Sequence, residues 1–75
     1  MNYYAINLKL AGKDVRTGKR YSEYQVMLIA DSQELTEGFI KNRARELYDG
    51  MWVEQVIQVT EISEQEYKAG VEALA

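Results

Sequence analysis

A chain with neither histidine nor cysteine has few routes to covalent chemistry. A nucleophilic triad needs an imidazole or an equivalent base beside a serine or thiol, so that class is all but closed. No disulfide can form, and a structural zinc site loses its usual ligands. The twelve acidic residues leave paired-carboxylate hydrolysis formally open. That reaction needs a cleft, which one thin layer rarely forms, and most of the acids fall on expected solvent faces. Residues 12–20 contain Gly-Lys twice and invite a phosphate-loop reading. The pattern fails in detail, because five residues separate Gly12 from Gly18 and Arg20, not Ser or Thr, follows Lys19. The stretch also joins two expected strands instead of opening a helix. No catalytic residue, cofactor or metal is predicted, and the chain is expected not to be an enzyme.

Binding chemistry is better represented. Lys9, Lys13, Arg16, Lys19 and Arg20 crowd a short stretch against a single acid, Asp14. One reading is a basic hairpin that touches nucleic-acid phosphates, with Tyr3 and Tyr21 as stacking platforms for bases. The plainer reading is a solvated turn with cross-strand tyrosines. A second group, Met27, Ile29, Trp52 and Val56 with Ala5, is expected on the sheet face away from the long helix. Either a C-terminal helix covers it or a partner protein does. A third group, Glu54, Glu61, Glu64, Glu66 and Glu72, makes the last third acidic. It suits mimicry of a phosphate track, or simply a solvated helix and strand edge.

Size limits how these residues are held. Seventy-five residues make one domain, which buries only roughly 60% of the surface its unfolded chain exposes. Stability must then come from close packing of the eight aromatic residues, or from association with another chain. Hydrophobic content of 47% is that of a globular protein. No apolar run is long enough to cross a bilayer. Met1-Asn2-Tyr3-Tyr4 lacks the basic region and apolar core of a signal peptide, so a cytoplasmic location is expected and no membrane partner. The net charge of −3 is unevenly spread, from +3 over residues 1–30 to −4 over residues 51–75.

The elements follow from periodicity. Tyr3–Leu10 alternates as a strand, with Tyr4, Ile6, Leu8 and Leu10 on one face. Tyr21–Ala30 alternates as a second, with Tyr24, Val26, Leu28 and Ala30 matched to that face. Pairing Leu8 with Tyr24 and Ile6 with Val26 puts both apolar sets on one side. Setting Leu8 against Glu23 would bury polar groups, so the first register is expected. Asp14 to Lys19 reads as the hairpin tip, with Gly18 left-handed. From Asp31 to Gly50 the period changes to that of a helix, with Leu35, Phe39, Ile40, Ala44, Leu47 and Tyr48 as its stripe. Asp31 and Glu34 are its expected capping box, and Gly50 its stop. Met51–Ile62 is a third strand, with Val53, Ile57 and Val59 on one face and Trp52, Val56, Thr60 and Ile62 on the other. Ser63 to Glu66 is a second capping box, opening a short helix along Tyr67, Val71 and Leu74. The predicted fold is α+β: a two-layer ββαβα chain with a mainly antiparallel three-stranded sheet of order 2-1-3.

The general character of the chain (very short, free of Cys and Pro, with no catalytic signature) resembles the small accessory proteins of phages and mobile elements. The expected function is a non-enzymatic module that binds a protein target to inhibit or regulate it, with a homodimer as one expected form. The alternative is a nucleic-acid binder using the basic hairpin 9–20, through Lys9, Lys13, Arg16, Lys19, Arg20 and Tyr21.

Overall fold

Two alternating runs joined by a tight loop make a long antiparallel hairpin, β1 (Asn2–Lys13) and β2 (Arg20–Asp31). The computed structural model describes residues 1–32 and 35–74. Glu34, expected in the first capping box, and the Leu74 side chain, expected on the last helix's stripe, lie outside the described residues. The loop is closed by Asp14 N–H donating to the Lys19 carbonyl at 2.8 Å, and Gly18 N–H donates back to the Asp14 carbonyl. The Asp14 carboxylate accepts from the amides of Arg16 (2.8 Å) and Thr17 (3.3 Å), and Gly18 is left-handed at φ 73°.

This loop sets the register one residue away from the expected one. Ile6 faces Met27 and Leu8 faces Gln25, instead of Val26 and Tyr24. The physical reason is parity. Asp14 and Lys19 pair across four loop residues, so every partner pair in the ladder adds up to an odd number, and the expected pairing needed an even one. Met27 and Ile29 therefore enter the core at 1% and 4% exposure, whereas Tyr24 and Val26 stand out at 70% and 52%. Gln25 and Glu23 accept positions beside Leu8 and Leu10 because β2 is an edge strand, where they reach past the core. Gln25 Nε2 donates to the Glu23 carboxylate at 3.0 Å.

Helix α1 (Glu37–Leu47) is shorter than expected, since β2 runs on to Asp31 and the N-cap is Thr36. The Thr36 hydroxyl accepts from Phe39 N–H at 3.2 Å, a cap worth about 1 kcal/mol. Leu35 before the cap and Ile40 within the first turns share one apolar cluster, the placement of a hydrophobic staple. Ile40 and Ala44 are buried against Ile6, Leu8, Leu10, Met27 and Ile29. Phe39 and Leu47, expected in the same stripe, are exposed on the shoulder turned toward β2. Tyr48 caps the C-terminus, and left-handed Gly50 (φ 80°) carries the chain into β3.

Strand β3 (Met51–Ile62) pairs with the other edge of β1, giving the antiparallel order β2-β1-β3. It does not alternate simply. Val53 faces Leu10, Val56 faces Leu8 and Val59 faces Ile6, so Glu54 and Ile57 are extra residues in two bulges. Three valines spaced three apart thus share the α1 side, which corrects the expected split of Val56 from Val53 and Val59. Helix α2 (Glu64–Leu74) opens on a reciprocal cap, with Glu66 N–H donating to Ser63 Oγ (3.1 Å) and Ser63 N–H to Glu66 Oε1 (3.4 Å). It lies on the opposite sheet face, with Tyr67 tilted against Tyr3 (centroids 5.0 Å) and Gly70 close over Leu28.

The register predicts its own test. Met27→Ala leaves a cavity and destabilises the domain by about 2–4 kcal/mol, whereas Val26→Thr changes stability by less than about 0.5 kcal/mol in urea denaturation. The opposite ranking contradicts the observed pairing.

Candidate functional site

The face under α2 is only partly covered. An eleven-residue helix is about 16 Å long, and the molecule is 42 Å along its longest axis. Because α2 follows directly from the end of β3, it folds back over the Tyr3, Leu28 and Ile62 end of the sheet. Toward the hairpin tip the same face stays open. There Tyr24 and Val26 of β2, Asn7 of β1 and Ile57 of β3 border a shallow cleft. Trp52 follows on β3, opposite Ala11, and is also exposed. The Arg20 guanidinium lies over the Trp52 ring at 5.4 Å from its centroid. Glu54, displaced outward by its bulge, is 3.7 Å from Lys9 Nζ and accepts from Ser22 Oγ at 3.5 Å. The result is an apolar strip of tyrosine, valine, isoleucine and tryptophan with a mixed-charge rim.

The residues singled out in the sequence do not gather as one site. Met27 and Ile29 are in the core beneath α1, which corrects their expected placement on the open face. Val56 is half-buried on the α1 side, back to back with the open face, because of the bulge at Ile57. Of the four expected interface residues, Trp52 alone is on the uncovered surface. The basic set is divided too. Lys13 and Arg20 are paired across the hairpin, while Lys9 is engaged by Glu54. Tyr21 is on the other sheet face, where its ring covers Gly12 so closely that a Cβ there would meet the ring at 2.5 Å. Arg16 and Lys19 are in the loop, their amides held by Asp14 and by Thr17. The acidic third is largely occupied with structure: Glu64 pairs with Lys68 at 3.0 Å and Glu66 caps α2. The Glu64 hydrogen bond, then its charge, raises the Lys68 ammonium above its usual range.

Tyr24, Val26 and Ile57 are the surface residues that periodicity alone misses. The signal for the first two is the parity of the hairpin loop, and for the third the valine spacing in β3. A second surface runs along the outer edge of β2. Near Leu28–Asp31 it is bordered by Phe39 and Tyr67, and near Gln25–Leu28 by Leu47, Tyr48 and Val71. Among the described residues no helix is long and apolar enough to cross a membrane. Compared with protein-family models, with curated proteins and with solved structures, the chain finds no match in any of the three.

Burial, with a smaller contribution from the Glu23 carboxylate, pushes the Tyr48 phenol above its ordinary value. The unfolded chain holds that phenol at about 10. Its contribution to stability is therefore complete below that value and is lost as pH rises through the higher folded-state value. Tyr48→Phe is expected to remove this part of the alkaline loss, read as a smaller drop in denaturation free energy above pH about 10. An unchanged drop contradicts the assignment.

Proposed function

We propose that this protein is a non-enzymatic interaction module that grips a protein target with the open half of its second sheet face. One observation carries the reading: Tyr24, Val26, Ile57 and Trp52 are large apolar side chains exposed side by side on rigid strands. Aromatic anchors on a preformed surface lose little entropy on binding, and a tyrosine and a tryptophan are the side chains on which such contacts most often turn. The regulatory or inhibitory role belongs to the same proposal, since occupying a target's surface is the direct consequence of such a grip.

A narrower observation favours nucleic acid as a second reading. Arg20 stacks on Trp52, and Lys13 pairs opposite Arg20 on the same strip. That arrangement offers a ring and two cations to a single strand.

Affinity capture from native-host extract separates the two readings. Wild-type bait is expected to retain a discrete protein after nuclease treatment, and Tyr24→Ser with Ile57→Ser to lose it. Arg16→Ala with Lys19→Ala should keep it. Material that disappears on nuclease treatment contradicts the protein-binding reading. In direct titration the nucleic-acid reading requires binding at low salt that falls steeply as salt rises. No binding at low salt removes it.

A further inference from the structure

The two edges of this sheet are built differently. β3 is interrupted by bulges at Glu54 and Ile57, which blunt an edge against further pairing. β2 pairs with β1 residue for residue from Arg20 to Asp31 without a shift. Its charges stand near the ends, so Tyr24–Ala30 is an uncharged, Pro-free, regular strand with one side turned away from β1. Backbone donors and acceptors on such an edge are a template for another strand.

The walls beside that edge say which strand fits. Both helices run antiparallel to β2: Phe39 and Tyr67 stand by its Asp31 end, Leu47 and Val71 by its Gln25 end. Leu28 and Arg43 border the groove at both ends and so mark its midpoint. A two-fold axis perpendicular to the sheet at Leu28 would bring the Phe39 end of one copy against the Leu47 end of the other, apolar to apolar. It keeps each α1 on the same side of the joined sheet, which requires even-numbered partner sums. Leu28 then faces Leu28, Val26 faces Ala30 and Gln25 faces Asp31, with no like charges opposed among these strand pairs. Arg43 and Glu46, joined at 3.2 Å within one chain, have spare donors and acceptors to exchange across the axis.

The surface area agrees. The chain exposes 5548 Å², against about 4,700 Å² for a compact monomer of this mass. The difference of roughly 800 Å² belongs to the whole elongated molecule and is large enough to accommodate an interface of standard size. We infer that two copies of this chain associate edge to edge through β2, antiparallel about Leu28, into one continuous sheet of twice the width. The two surfaces share Tyr24 and Val26, but Ile57 and Trp52 belong to the open face alone and Arg43 and Glu46 to the edge alone, so variants at those positions test the two assignments separately.

Charge reversal across the axis is the test. Wild-type protein in sedimentation equilibrium is expected at twice 8.7 kDa. Arg43→Glu and Glu46→Arg, both at exposed positions, should each weaken the dimer about tenfold or more while keeping the native circular dichroism spectrum. An equimolar mixture of the two variants should regain it, because the two carboxylates of one variant then meet the two guanidinium groups of the other. A monomeric wild type overturns the inference, and leaves the edge to a strand from a different protein. It is equally overturned by variants that dimerise as the wild type does, or by a mixture that stays monomeric.

Discussion

Four loop residues between Asp14 and Lys19 determine which side of β2 is core. An antiparallel ladder transmits the offset of its closing turn to every pair beyond it, so a turn held by the Asp14 carboxylate and left-handed Gly18 sets the pairing along all of β1. With that offset, Met27 and Ile29 meet Ile6 and Tyr4, and α1 has a floor of side chains on which to pack. The same offset turns Tyr24 and Val26 to the opposite face, where both stay exposed. The core and the open face are two consequences of one turn.

The helices respond to this sheet rather than shape it. Each is eleven residues long, too short to persist in water alone, and each is held by a cap at its start and apolar contact along one side. Glu37–Lys41 and Glu64–Lys68 are exposed pairs at helical spacing, screened by solvent, and do not hold the helices in place by themselves. α1 leaves Phe39 and Leu47 exposed toward β2, so the β2 edge is one side of the molecule where apolar surface is unfinished.

Much of this arrangement is legible in the residues. The ββαβα order, the 2-1-3 sheet, the bounds of β3, the Ser63–Glu66 cap and left-handed Gly18 all follow from local patterns. What local patterns do not carry is the choice between two faces that are both apolar. Val26-Met27-Leu28-Ile29-Ala30 is continuous because Met27 and Ile29 enter the core beside α1 while Leu28, on the other side, lies under α2, so alternation has nothing to select there. The bulges in β3 hide for a similar reason: two inserted residues reset the period, and Val53, Val56 and Val59 look split when they share a face. The helix start is obscured by Asp31, a good cap in the wrong place, with Thr36 five residues on doing that job. Of the expected contact residues, Trp52 reaches the open surface, and the others depend on the register.

The pairing of β1 with β2 is the claim beneath the rest, and proton NMR reads it directly. Cross-strand nuclear Overhauser contacts are expected between the backbones of Ile6 and Met27 and of Leu8 and Gln25. Contacts joining Ile6 to Val26 and Leu8 to Tyr24 instead would place Tyr24 in the core and contradict both the open face and the edge described above.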